Sequence, residues 1–331
     1  MVSKIFCRQA AGPCPVNNNF KRKWVATPMG NCNLKRCFRK ISRWAWYGYL
    51  KCGLTGGFIP MKKLMIVGMV AVFAAGVSNA QNDVVMVGQV PSNDRSQPEI
   101  TAEMALLSAY VWRGTVQDQD MVLQPQLSVS QYGFSFNIWA NYDFSGNYTG
   151  VENDLSEIDL SLAYTLPLNL NDISFDIGVI NYQFPANSKS GYAQGKSTTE
   201  LFASAHLLTL QDYIIPSVTF FGDVKEVDGS YILFDIAAPY QISDYLSVEG
   251  GVSTGWGNAR YNKFYYSPSA EKGFVDYNIY GTVSYEILDG LTASFNLTYT
   301  GLYGGAIENG AKEIYEDDQK FWGGVNIAYD F

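Results

Sequence analysis

Acidic residues are absent from the first 80 positions of this chain of 331 residues, although thirteen Lys or Arg residues lie there. Residues 81–331 show the opposite balance, with ten basic and thirty-one acidic residues. Since phosphate backbones attract basic surfaces, a body this acidic opposes nucleic acid, and we expect no nucleic-acid partner. The sequence therefore divides into a basic N-terminal part and an acidic body.

Cysteine and histidine are also scarce. All five cysteines precede residue 61, so the acidic body has neither a disulfide nor a thiolate metal site. The chain has one histidine, His206, and the body shows no phosphate-binding glycine motif and no calcium-loop spacing. We therefore expect no cofactor, no metal and no catalytic residue.

The boundary between the two parts has the pattern of a secretory signal peptide over residues 61–80. Met61 is followed by two lysines, then by the apolar run 64–77, then by small residues before a cut after Ala80. We predict that translation starts at Met61 and that residues 1–60 are a basic extension absent from the mature protein. In the alternative interpretation, residues 1–60 hold cysteine metal ligands or a nucleic-acid patch. Residues 81–100 are polar and predicted to be a flexible periplasmic leader.

From residue 101 onward, apolar and polar residues alternate with the period of a β-strand, and Gly, Asn, Asp, Ser and Pro separate the segments. The weakest segment is 213–221, because Pro216 cannot donate a hydrogen bond to a neighbouring strand. We predict twelve strands, at 101–114, 122–131, 133–143, 155–166, 172–184, 197–209, 213–221, 230–241, 245–256, 274–287, 290–301 and 320–331.

The gaps between these segments alternate between short turns and longer polar loops. Short periplasmic turns and longer outer loops are typical of a bacterial outer-membrane barrel, and an even strand count puts both termini in the periplasm. A secreted β-sandwich would also alternate, but its interior would be dry, whereas one parity here is strongly polar. We therefore predict an all-β fold, a transmembrane antiparallel up-and-down β-barrel of about twelve strands over residues 101–331.

Parity assigns the two faces of each strand. Phe134, Phe136 and Ile138 are predicted to face lipid, and the residues between them face the lumen. The same pattern predicts that Val275, Tyr277, Ile279, Val283 and Tyr285 face lipid. Within the segment 101–114, Tyr110 and Trp112 are expected outside, in the aromatic belt at the membrane interface, and Arg113 inside.

The inward positions carry many acids and few bases. We predict that the pore is lined by Arg113, Glu157, Asp159, Asp176, Glu200, Asp235, Glu249, Asp276 and Glu286. Rings of carboxylates favour cations, so the expected channel prefers small cationic or neutral solutes. In the alternative interpretation, these acids pair with Arg113 or with loop lysines and select no solute.

The first three predicted strands also resemble a known family, the TorF-like outer-membrane porins. The residues that carry the resemblance are Tyr110-Val111-Trp112-Arg113-Gly114, Gln117, Asp120, Leu123-Gln124-Pro125-Gln126-Leu127, Gly133-Phe134 and Trp139. The resemblance implies an exported barrel, passive passage of small solutes and no catalytic residues. It covers roughly residues 101–331, and the basic segment before Met61 is not part of it.

Two other classes of function stay open. An outer-membrane lipid hydrolase needs a base next to a nucleophile, but His206 is predicted to point inward. A receptor, an adhesin or a structural barrel would use the loops 257–273 and 302–318, of which the first is rich in aromatic residues. As partners we expect outer-membrane lipid, small solutes and, during insertion, the barrel-assembly machinery.

Overall fold

The computed structural model describes residues 97–146, 152–168, 170, 172–185, 197–315 and 317–331. The basic extension, the signal peptide and residues 81–96 of the leader, as predicted above, lie outside the described residues. Among the residues described, no helix is long and apolar enough to cross a membrane.

Fourteen strands and two helices make up the described part of the chain. In chain order they are β1 (Glu99–Leu107), β2 (Tyr110–Trp112), β3 (Thr115–Asp118), β4 (Val122–Gln131), β5 (Phe134–Asp143), β6 (Asp154–Thr165), β7 (Ile173–Gln183), β8 (Thr198–Leu207), β9 (Ile215–Asp223), β10 (Ser230–Ser243), β11 (Leu246–Gly257), α1 (Ala259–Tyr265), β12 (Gly273–Leu288), β13 (Leu291–Leu302), α2 (Ala306–Tyr315) and β14 (Gln319–Asp330). Twelve of the strands form a closed barrel, while β2 and β3 form a separate two-stranded sheet.

The barrel is antiparallel throughout, and each strand pairs with its neighbours along the chain, apart from the step from β1 to β4 around β2 and β3. The last strand closes it: Thr101 of β1 lies opposite Asp330 of β14, and Leu107 lies opposite Gly324. The predicted twelve-stranded up-and-down barrel is confirmed. No barrel strand within the described residues is left with an open edge.

The two ends of the barrel differ in their connections. Five short turns lie at the end where the chain terminates, which we call the turn end; the longer connections lie at the opposite loop end. Tyr132 and Gly133, between β4 and β5, have φ angles of 55° and 83°. Positive φ at both central residues is characteristic of a type I′ two-residue hairpin turn, which fits the short gap predicted between the segments 122–131 and 133–143.

The predicted segment 213–221 forms a strand despite Pro216. Pro216 lies opposite Ile236 of β10, but the pairing of β9 with β8 begins only at Ser217. The proline therefore occupies a position near the strand end, where the missing N–H costs no hydrogen bond to β8.

Parity predicts the two faces correctly along most strands. Phe134, Phe136 and Ile138 of β5 are exposed, while Asn137 and Trp139, which have the other parity, are buried inside the barrel. The same outward exposure recurs on each barrel strand from β4 to β14, at Leu127, Phe136, Leu162, Ile177, Leu201, Phe220, Phe234, Val252, Ile279, Phe295 and Val325.

The prediction that Val275 faces outward is wrong. Gly255 of β11 lies opposite Asp276, but the next residue, Trp256, lies opposite Phe274, so Val275 is the extra residue of a β-bulge. Because a bulge shifts the parity of its strand, Val275 turns into the interior and Phe274 takes the exposed position.

Candidate functional site

The chain leaves the barrel wall after Leu107 and forms the β2–β3 hairpin (Tyr110–Asp118) before it returns as β4. The predicted single strand 101–114, with Tyr110 and Trp112 outside, is therefore wrong: Tyr110 is 3% exposed and packs within the structure. The hairpin turns at Arg113 and Gly114, whose φ angles are 44° and 84°. Glycine is favoured at the second position of such a turn, but arginine is not a usual residue at the first, so the sequence pattern continues as a strand through the turn.

The hairpin lies in the lumen because its side chains contact the inward faces of strands all around the barrel. Tyr110 donates a hydrogen bond from its hydroxyl to Glu157 Oε2 of β6 at 2.9 Å. Arg113 bonds to Glu200 of β8. A Cβ placed on Gly114 would lie 2.5 Å from Asp276 of β12 and from Leu302 of β13, so glycine is required at this tip.

Arg113 is the centre of this contact. Its two terminal nitrogens donate to the two carboxylate oxygens of Glu200 at 2.9 and 2.6 Å, and the two side chains are 2% and 1% exposed. The guanidinium also lies against four aromatic rings, with its Cζ 4.4 to 5.6 Å from the ring centroids of Trp112, Phe221, Tyr231 and Tyr261. Planar, bidentate and stacking contacts of this kind suit arginine and not lysine.

Neighbouring hydroxyl groups complete the hydrogen bonding of the buried pair. Tyr182 donates to Glu200 Oε2 at 2.9 Å, Arg113 itself donates to the Tyr261 hydroxyl at 3.1 Å, and Tyr266 donates to the Arg113 carbonyl at 2.8 Å. A buried ion pair must satisfy its remaining donors and acceptors to offset the cost of desolvation. Here the aromatic side chains supply both the apolar enclosure and those partners.

The loop end covers the hairpin with α1 and α2. Asn258 caps α1 by accepting a hydrogen bond from the Tyr261 N–H at 2.9 Å, and this orientation buries Tyr261 and Tyr265. Helix α2 packs closely against the chain just after α1, since a Cβ on Gly310 would lie 2.1 Å from the Tyr266 carbonyl oxygen. Burial raises the pKa of the Tyr265 and Tyr266 hydroxyls well above the usual value, so both stay neutral.

We call the β2–β3 hairpin, α1 and α2 together the plug. Its apolar side chains and those of the surrounding wall form one buried cluster, which includes Ile180, Phe202, Phe221, Tyr231, Val275, Leu302, Ile307, Ala311 and Tyr315. The inward parity, which is polar elsewhere, is aromatic at Phe202, Phe221 and Tyr231. Aromatic residues on the polar face were the sequence signal of a filled lumen, and the sequence interpretation missed it.

The predicted pore-lining residues separate into two groups. Five are buried: Arg113, Glu157, Asp176, Glu200 and Asp276. Three of the buried acids, Glu157, Glu200 and Asp276, meet the plug or its enclosing aromatic residues; Asp276 accepts a hydrogen bond from Tyr231 at 2.9 Å. These three carboxylates form hydrogen bonds inside the protein at the loop end.

The other predicted acids, Asp159, Asp235, Glu249 and Glu286, are half-buried on the inward face, and so is Glu103. We call these five residues the acidic inner face. Tyr280 donates to Asp235 at 3.0 Å, and Asn326 donates to Glu103 at 2.6 Å. The barrel therefore combines a packed, aromatic loop end with an acidic inner wall nearer the turn end.

His206 points inward, as predicted, and is buried near the turn end. Its Nε2 lies 3.4 Å from Asp176 Oδ2, and neither ring nitrogen has a hydrogen-bond partner among the described residues. Ser204, two positions away, instead accepts a hydrogen bond from the Thr219 hydroxyl. In the part of the chain that the structure covers, no group of three or more His, Cys, Asp or Glu side chains is placed to hold a metal ion.

Comparison with known families finds one match, to a family described as a bacterial protein of unknown function (Gcw_chp), over residues 92–301. The chain belongs to the Gcw_chp family. This family description gives no function and does not mention TorF, so the TorF-like resemblance stays a prediction. No curated protein matches the Gcw_chp chain.

The Gcw_chp chain is similar to several solved outer-membrane channels. The COG4313 outer membrane channel from Pseudomonas putida F1 is 12% identical over 71% of this chain and 94% of that one, with a TM-score of 0.45. The NanC porin is 9% identical over 71% and 100% of the two chains, with a TM-score of 0.43, and the KdgM porin is 9% identical over 71% and 99%, with a TM-score of 0.42. Similarities this weak do not indicate which solute, if any, the Gcw_chp protein transports.

The Arg113–Glu200 pair provides a test of the plug. Replacing Arg113 by Met leaves the Glu200 carboxylate buried without its cation, so we expect the free energy of unfolding to fall by about 3 to 5 kcal/mol. The double variant R113M/E200M removes both charges and is expected to recover most of that loss. The measurement is chemical unfolding of the refolded protein in detergent micelles, followed by intrinsic fluorescence.

The chain offers a matched control in Arg260 and Asp228, an ion pair whose side chains are both exposed. Replacing Arg260 by Met should cost at most about 1 kcal/mol, because exposed pairs contribute little. Equal losses for R113M and R260M would contradict the assignment of Arg113 as the centre of the plug.

Proposed function

We propose that this Gcw_chp protein is a porin-like outer-membrane channel for small solutes, with a preference for cations, and that the plug narrows its loop end. The observation that carries the proposal is the contrast between the two faces of the barrel. The outward face is apolar on strand after strand, whereas the inward face carries carboxylates that contact water.

The apolar outward face supports insertion into a membrane. Exposed Leu, Ile, Val and Phe side chains form a continuous surface around the barrel, far larger than the scattered apolar patches of soluble proteins. Exposed tyrosines near the turn end, such as Tyr132, Tyr213, Tyr240 and Tyr245, suit an interfacial aromatic belt. We infer an outer-membrane location with the turn end and both termini in the periplasm.

The acidic inner face supports the cation preference. Asp159, Asp235, Glu249 and Glu286 keep part of their surface exposed to water. No lysine or arginine in the described part of the chain forms a salt bridge with Asp235, Glu249 or Glu286. A wall of carboxylates raises the local concentration of cations and opposes anions. Outer-membrane lipid and small solutes are the partners this proposal requires, with the barrel-assembly machinery acting at insertion.

The plug favours a second candidate, a barrel that does not conduct and acts as a receptor, an adhesin or a structural protein. The observation behind it is that the hairpin, α1 and α2 fill the loop end with buried side chains. The two candidates differ in whether the plug leaves, or can open, a path for ions.

Planar-bilayer recording tests the proposed channel. In a salt gradient, the refolded protein should conduct with a reversal potential shifted toward the equilibrium potential of the cation. Neutralising the acidic inner face in the variant D235N/E249Q/E286Q should move the reversal potential toward zero, since the charges that attract cations are gone. The control is E308Q on α2, which removes one half-buried acid that is paired with Lys312 at the loop end and should leave the selectivity unchanged. A folded barrel without conductance would favour the second candidate.

The outward face provides a test of membrane insertion that does not depend on conductance. Ile279 lies outward near the middle of β12, so arginine there should lower the free energy of unfolding in phospholipid vesicles by about 2 to 4 kcal/mol. Arginine at Ser284, an inward position of the same strand, is the matched control and should cost much less. Equal costs at the two positions would argue against a lipid-facing exterior.

A further inference from the structure

Two carboxyl groups meet where the hairpin touches the barrel wall. Asp118 ends β3, Asp143 ends β5, and the two residues are 1% and 0% exposed. The Ser145 hydroxyl lies between them, 3.5 Å from Asp118 Oδ1 and 3.0 Å from Asp143 Oδ1. Two buried carboxylates this close repel each other, so the contact is most stable when one of them holds a proton.

The hydrogen-bond donors around the pair decide which carboxyl takes the proton. Asp143 Oδ1 accepts from the backbone N–H groups of Ser145 and Gly146, each at 2.8 Å, and from the Ser145 hydroxyl. Asp118 Oδ1 accepts one backbone N–H, from Asp120 at 2.9 Å, while its Oδ2 is buried and has no hydrogen-bond partner among the described residues. The charged form is thus better stabilised at Asp143, and the proton belongs on Asp118.

The other groups packed around Asp118 strengthen this effect. Val116, two residues before Asp118 on β3, belongs to a buried apolar cluster with Trp139 and Trp322. Burial, together with the negative charges of Asp143 and Asp120, raises the pKa of Asp118 to about 7.

Helix α2 also packs against β3, where Gln119 donates to the Tyr315 carbonyl at 3.4 Å. Lys312 of α2 does not pair with Asp118. It forms salt bridges with Glu308, on the same helix, and with Asp318. Among the described residues no salt bridge therefore reaches Asp118 from this side.

We propose that Asp118 is a proton switch of the plug, which holds the hairpin against the wall when protonated and weakens that contact when ionised. The hairpin is one segment between two adjacent barrel strands and forms a sheet of its own, so it can leave the wall without breaking a backbone hydrogen bond between barrel strands. Only side-chain bonds to the wall, such as those to Glu157 and Glu200, are lost. The consequence for conductance rests on the proposed channel function, but the switch itself concerns only the position of the hairpin.

The sign of the pH dependence follows from proton linkage. A released hairpin exposes Asp118 to water, where its pKa returns to about 4. The docked state therefore binds more protons between pH 4 and pH 7, and docking weakens as the pH rises through that range. Above about pH 7 both states are ionised and the dependence ends. Between pH 6 and pH 8 the released fraction should rise about tenfold.

Trypsin cleavage after Arg113 can measure the fraction of molecules in which the hairpin is released. Trypsin cleaves after arginine, but Arg113 is 2% exposed in the docked hairpin, so cleavage there reports the released fraction. Lys225 is exposed on the connection between β9 and β10 and provides a reference cut in the same sample, which corrects for the pH dependence of the protease. The experiment uses the full chain folded in detergent micelles, with both fragments quantified by mass spectrometry.

For the unaltered chain, the ratio of cleavage after Arg113 to cleavage after Lys225 should rise about tenfold from pH 6 to pH 8. Asp118→Asn should abolish the rise and keep the ratio low, since the amide is neutral at every pH. Asp120→Asn, two residues after the end of the hairpin, is the matched control and should retain most of the rise. A flat ratio in the unaltered chain, or an equal rise in D118N, would overturn the proposal.

A second variant covers the case in which D118N does not fold. Asp143→Asn removes the neighbouring charge, so Asp118 ionises more easily in the docked state and the rise should shrink; an undiminished rise would contradict the switch.

Because the readout is proteolysis, a barrel that never conducts could still show the switch, and a conducting barrel could lack it. Failure of the switch and failure of the channel are thus distinguishable.

Discussion

The structure depends on the requirement that every strand edge find a partner. A β-sheet of this length with open edges would expose two rows of unpaired N–H and C=O groups, which no apolar environment can satisfy. Pairing of β1 with β14, from Thr101 opposite Asp330 to Leu107 opposite Gly324, removes both edges at once. Closure also separates the side chains into an outside that is apolar and an inside that can be polar, acidic or packed.

The packing of the barrel interior at the loop end depends on the charge of Arg113. A guanidinium in the lumen at Arg113 could have stood in water, as a pore-lining residue does. Instead it is enclosed by four aromatic rings and bound to Glu200 by two hydrogen bonds, so the hairpin that carries it is fixed across the barrel. The interior thereby gains a hydrophobic core at one end, which simple strand alternation does not require.

The sequence predicted the strands and the closure because both follow from local rules. Alternation along β5 and β13 and the turn at Tyr132-Gly133 are visible within about ten residues. The hairpin was missed because Tyr110 to Arg113 continues the parity of β1, and only the positive φ angles of Arg113 and Gly114 show the reversal. Val275 was misplaced for a related reason, since a one-residue bulge changes the face of a strand without changing its composition. Of the candidate site, parity found Arg113 and Glu200 but not their contact, which joins residues 87 positions apart.

The plug also imposes an order on folding. Its hydrogen bonds join distant parts of the chain: Tyr266 to Arg113 over 153 positions, and Gln119 to the Tyr315 carbonyl over 196. Contacts between residues so far apart form late, because the loops between them must close first. The surface that receives Arg113 is made of β8, β9, β10 and α1, so it does not exist while the nascent N-terminal strands are alone. The first hairpin of the barrel to be synthesised is therefore among the last parts to reach its final place.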